Sequence, residues 1–160
     1  MVLGGIAIAV ALTGPRRQAV RAKPGSRLPA RLDLALFASV AAILVVTFVP
    51  TEGGLDLRLT PFKDIIEALT PPFDRSHLLG VVGNVVLFAP LGAVLRFRWL
   101  SLNEAVFAGA VFSATIEVTQ LLVGRTTSLD DVFLNALGVV MGYSVAARST
   151  SRWVQTRHRS

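Results

Sequence analysis

Four apolar runs, each about the length of a bilayer-spanning helix and each bounded by clumps of charge, constrain this chain more than any motif in it. A bilayer-spanning helix needs roughly 17–25 mostly apolar residues. Leu34 to Pro50 forms the first run, preceded by a dense basic segment from Arg16 to Arg31. His77 to Leu95 is the second, closed by Arg96 and Arg98. Ala105 to Val123 is the third, interrupted by Glu117 and Gln120. Val132 to Ala147 is the fourth, entered through Asp130 and Asp131 and closed by Arg148. The runs predict an all-α polytopic membrane bundle of four or five transmembrane helices.

The fifth candidate is Val2 to Thr13, apolar but only about 18 Å long as a helix against a hydrocarbon core of about 30 Å. A secretory signal places positive charge before its apolar stretch, whereas Arg16 and Arg17 follow this one. It reads as a marginal first span. The chain then divides into residues 1–31, with this helix and a basic cytoplasmic loop, a bundle over 32–147, and a basic tail over 148–160. Only 16% of the 160 residues are charged, against about a quarter in a soluble domain.

The net charge of +6 would suit nucleic acid if the basic residues formed a patch. Their distribution follows membrane topology instead, so no nucleic-acid partner is expected. With the 16–31 segment in the cytoplasm, twelve of the sixteen Lys and Arg lie inside. Arg58, Lys63, Arg75 and Arg125 lie outside. The positive-inside rule therefore predicts a multi-pass protein of the cell membrane with a cytoplasmic C-terminus. Cysteine is absent, which excludes disulfides, thiolate catalysis and Cys-based zinc sites. No phosphate-binding glycine loop, Ser-His-Asp set or His-Cys metal spacing is present, so neither cofactor nor metal is expected.

Between the first two strong runs, residues 51–76 form an outer loop. Thr60 suits a helix N-cap and Pro61 the first helical position. Phe62, Ile65, Ile66 and Leu69 fall on one face before Pro71 and Pro72 stop the turn. The pattern predicts a short amphipathic helix, either lying on the outer leaflet or roofing the bundle; a plain structured loop is the alternative.

Polar groups inside a membrane span are costly and usually face a partner in the bundle. Asn84 lies about 10 Å below the outer start of its span, Glu117 about 9 Å and Gln120 about 5 Å from the outer end of theirs, and Asn135 about 6 Å past Asp131. Three helices thus put polar groups in one outer layer. Glu117 and Gln120 share a face at i, i+3, and Asp131 and Asn135 at i, i+4. The tight connection from Gly124 to Ser128 keeps their helices adjacent, with Ser128 as an N-cap and Asp130 and Asp131 favouring the last helix's positive N-terminus. Asp131 is the stronger functional candidate because it shares a face with Asn135. If Glu117, Asp130 and Asp131 all ionise, Arg125 alone faces them. Glu117 is then neutralised by a proton, by Arg125, or by a bound cation or basic ligand group. Asn84, Glu117, Gln120, Arg125, Asp131 and Asn135 form the candidate cluster; a network that merely locks the helices is the competing reading. His77 reads as surface-facing, and Gly138 with Gly142 as helix packing within one chain.

Four stretches in order resemble the VanZ-like family of bacterial membrane proteins. They are Leu59-Thr60-Pro61-Phe62-Lys63-Asp64-Ile65, the run Gly83-Asn84 through Phe88-Ala89-Pro90-Leu91-Gly92, Ile116-Glu117-Val118-Thr119-Gln120, and, after Arg125, Asp130-Asp131 through Asn135-Ala136-Leu137-Gly138. The resemblance covers roughly residues 55–145. It implies a multi-pass protein of the cell membrane, in a family whose named member is associated with resistance to teicoplanin-type glycopeptide antibiotics. Its motif positions fall on all six candidates and on Phe88, Pro90, Gly92 and Gly138, which read as packing. Three functions are open: binding or remodelling of a lipid-linked or cell-wall component, an enzyme using Glu117 as acid or base, or a small transporter. Transport sites usually lie near the midplane, so the one-sided cluster ranks that option last.

Overall fold

A computed structural model describes residues 28–49, 56–72 and 74–157. In chain order these hold α1 (Leu28–Phe48), β1 (Leu57–Arg58), α2 (Lys63–Leu69), α3 (Arg75–Phe97), α4 (Leu102–Leu122), β2 (Thr127–Ser128) and α5 (Leu129–Arg157). Four of the helices are long and apolar enough to cross a membrane, and they coincide with the four expected runs. The marginal helix at Val2 to Thr13 lies outside the described residues.

Helix ends follow local chemistry. Asp74 caps α3, its carboxylate accepting from the Ser76 amide and hydroxyl at 2.8 and 2.7 Å. Those bonds hold Asp74 below the usual carboxylate range, so this cap is in force at neutral pH and fails only as pH falls through the lowered value. Ser101 and Glu104 close a capping box on α4. Gly124, with φ 77°, ends α4 in a left-handed turn that side chains disfavour. Pro90 sits within α3, where it returns no hydrogen bond to the Val86 carbonyl; spans tolerate such interruptions better than soluble helices. α5 runs on well past Arg148, because hydropathy bounds the membrane segment while arginine continues a helix readily.

The core lies where α3, α4 and α5 meet. Phe88 and Phe112 place their rings 6.0 Å apart, among Leu91, Leu95, Ile116 and Val139. α3 and α5 run parallel at backbone contact. A Cβ on Gly138 would collide with the Val85 carbonyl, one on Gly142 with the Ala89 carbonyl, and one on Gly92 with the Val139 carbonyl. The expectation that Gly138 and Gly142 pack helices within the chain is met. α1 adds a single narrow stripe, Leu36 and Ile43, to the same core. At the end where α3 finishes, Arg98 pairs with Asp33 of α1 at 2.5 Å. The Tyr143 hydroxyl donates to the Leu100 carbonyl at 2.9 Å, and the Arg96 guanidinium lies 5.6 Å from the Tyr143 ring centroid.

The short helix of the first connection exists, but its start differs from the sequence expectation. It begins at Lys63, with Phe62 in a left-handed conformation and no side-chain cap from its own segment. Asp130 supplies the cap from across the bundle. Its carboxylate accepts from the Phe62 amide at 2.5 Å and the Asp64 amide at 2.9 Å. A charged acceptor at a helix N-terminus outcompetes the Thr60 hydroxyl expected there. Asp130 was expected to serve the N-terminus of its own helix; fully buried, it serves α2 instead. β1 pairs in parallel with β2, Leu57 against Thr127 and Arg58 against Ser128, which fastens the same connection at a second point.

Two outcomes follow from this packing. Gly142→Ala is expected to destabilise the protein by about 1–3 kcal/mol through overpacking, while Gly80→Ala, with open space around it, is neutral or stabilises by up to about 1 kcal/mol; unfolding in detergent compares them. Asp130→Ala is expected to cost about 2 kcal/mol and to speed hydrogen exchange at Phe62 and Asp64 selectively. Unchanged exchange there would show that the cap does not hold α2.

Candidate functional site

Three helices begin at one end of the bundle, α2, α3 and α5, and each brings the positive end of its dipole there. The chain answers with carboxylates. Glu117, on the last turns of α4, is 7% exposed. Its carboxylate accepts from the Ser128 amide at 3.1 Å, and its backbone carbonyl accepts from the Thr127 hydroxyl at 2.7 Å. Asp131, in the first turn of α5, accepts from the Asn84 amide of α3 at 2.5 Å. The i, i+4 partner of Asp131 is Asn135, 3% exposed. Its amide nitrogen donates to the Ser113 hydroxyl of α4 at 2.8 Å. Ser113 stands at i−4 from Glu117, so two polar pairs are stacked along the α4–α5 seam, one turn apart.

The Asn135 Oδ1 atom is buried with no hydrogen-bond partner among the described residues. Side chains on a helix lean toward its N-terminus, which aims Asn135 up the seam toward Asp131.

The other two candidates point elsewhere. Gln120 and Arg125 both donate to the Thr47 carbonyl, at 2.9 and 2.8 Å. They tie the end of α4 to the last turn of α1, where a carbonyl would otherwise lack an intrahelical donor. Of the six candidate residues, Glu117, Asp131 and Asn135 line the seam, with Asn84 of α3 bonded to Asp131, and Gln120 and Arg125 form a clasp beside it. His77, partly exposed and 3.8 Å from Glu67, lies outside the cluster.

Sequence reasoning passed over a further part of the layer. Asp64 of α2 accepts from the Ser128 hydroxyl at 2.6 Å and pairs with Arg58 at 3.0 Å. Hydrogen bonds to Asp56 and Asp64 keep Arg58 firmly protonated, above its already high ordinary range. A usable signal was present: Asp64 lies opposite the apolar stripe of an amphipathic pattern, on the face left for a partner. The layer thus holds four buried or half-buried carboxylates, of Asp64, Glu117, Asp130 and Asp131, against the guanidinium groups of Arg58 and Arg125. With every group ionised it carries a formal excess of two negative charges.

No curated protein and no solved structure matches the chain. The sequence model of the VanZ/LLP1 family matches residues 34–150, reaching from the first described span to the last and including all six candidates. With four membrane-spanning helices and a match over most of its length, this chain is a multi-pass membrane protein belonging to the VanZ/LLP1 family.

Proposed function

We propose that the protein acts at the outer face of the cell membrane, with its C-terminus in the cytoplasm, by engaging a lipid-linked or cell-wall component through the polar end of its bundle. The contribution to the cell is then binding or remodelling of the envelope, read out as a changed response to glycopeptide-type antibiotics. The observation that carries this reading is the buried Asn135 Oδ1, which has no partner among the described residues and lies beneath a layer rich in carboxylates. A network serving only to lock helices would be expected to satisfy every buried acceptor, since each one left open costs about 1–3 kcal/mol. Carboxylates in excess of guanidinium groups favour a donor-rich or cationic group of the ligand over an anionic one. The distribution of Lys and Arg supports the orientation.

The test compares glycopeptide susceptibility of a host expressing the native chain, Glu117→Ala or Glu117→Gln at matched membrane abundance. The native chain is expected to shift the inhibitory concentration several-fold, and Glu117→Ala to abolish that shift. Retention by Glu117→Gln would support binding, because an amide still accepts a hydrogen bond from a ligand; its loss would assign Glu117 a proton-transfer role instead. Loss of phenotype in proportion to loss of protein, or no shift with the native chain, would overturn the proposal.

A further inference from the structure

The short helix α2 presents three distinct faces. At about 100° per residue, Asp64 and Ala68 share one direction, Lys63 and Glu67 a second, and Ile65, Ile66 and Leu69 a third; neighbouring faces are separated by roughly 100–130°. The first faces the bundle: Ala68 is buried, and Asp64 reaches Ser128 and Arg58. The second is charged, with Lys63 and Glu67 3.8 Å apart at i, i+4. The third is apolar: Ile65, at its edge, is half-buried, while Ile66 and Leu69 are uncovered, 59% and 64% exposed.

A helix roofing a bundle would turn its apolar stripe down onto the core. Here the stripe turns aside, and small or polar residues meet the bundle. The residue before the helix shows where the stripe leads. The Phe62 ring stacks on Phe133 of α5, with centroids 5.6 Å apart and planes at 19°. Phe133 is itself exposed and begins an i, i+4 ridge through Leu137, Met141 and Val145, all exposed on the outside of a membrane span. The apolar face of α2 therefore continues a surface already read as lipid-facing.

We infer that α2 is an interfacial helix seated in the bilayer leaflet, its Ile66–Leu69 face among the acyl chains, its Lys63–Glu67 face toward water and its Asp64–Ala68 face on the bundle. Apolar area on one side and charge on another is the division that a membrane surface stabilises. The seat has a consequence for the polar layer. Asp130 holds the α2 amides and Ser128 holds Asp64, so the depth of α2 sets the depth of the layer near the headgroups.

The experiment places single tryptophans in a background with Trp99 and Trp153 replaced by Phe, reconstituted in phosphatidylcholine vesicles. Ile66→Trp and Leu69→Trp alter uncovered side chains, so the fold should accept them; Lys63→Trp reports the charged face. Lipids brominated near the top of the acyl chain are expected to quench the 66 and 69 probes at least twofold and the 63 probe little, with aqueous iodide giving the reverse order. Iodide quenching of 66 and 69 without bromolipid quenching would overturn the inference. So would equal bromolipid quenching at all three positions, which would mean a fully immersed helix.

Discussion

Backbone contact between α3 and α5 is the constraint on which the rest of this structure hangs. Lipid is as apolar as a leucine side chain, so burial of apolar surface cannot by itself hold two spans together; close packing and hydrogen bonds must. Glycines at 138 and 142 let α5 lie on the carbonyl side of Val85 and Ala89, and Gly92 accepts the Val139 backbone in return. That parallel approach brings Asn84 within hydrogen-bonding reach of Asp131. It also leaves a groove that α4 fills with Phe112 and Ile116, which in turn delivers Ser113 to Asn135 and Glu117 to Ser128.

Parallel α3 and α5 create an electrical asymmetry that the chain then exploits. Both start at the same end, and α2 starts there too, so three positive dipole ends converge and carboxylates become favourable. Their duties differ. Asp130 is consumed by the fold, since its carboxylate closes the N-terminus of a helix more than sixty residues earlier in the chain. Asp64 and Arg58 brace the same connection. Glu117, Asp131 and Asn135 remain in the seam, and there the Asn135 Oδ1 is buried without a hydrogen-bond partner among the described residues, the feature on which the proposed ligand role rests.

Much of this was legible in the chain, for a reason specific to membranes. Span positions follow from apolar length, and Asn84, Glu117, Asp131 and Asn135 stood out because a polar residue in lipid needs a reason to be there. Helix rise alone put them in one layer. What the sequence could not show was pairing at long range. Thr60 looked like the cap of α2 because local caps are the rule, and nothing in the order of residues says that Asp130 would reach back to the Phe62 amide. Gln120 and Glu117, three residues apart, share a helix face; a small difference in direction sends one to α1 and the other to the α5 entry. Asp64 was passed over because it sits on the polar side of a short amphipathic helix, where a carboxylate is ordinarily solvated.

The central claim is that the carboxylate-rich end of the bundle faces outward, and the absence of cysteine makes a direct test simple. Single cysteines at Thr126, in the turn beside the layer, and at Asn103, at the opposite end of α4, can be challenged in intact cells with a membrane-impermeant maleimide. The account predicts rapid labelling at 126 and protection of 103 until the membrane is permeabilised. Labelling of 103 with protection of 126 would place the layer in the cytoplasm and contradict it.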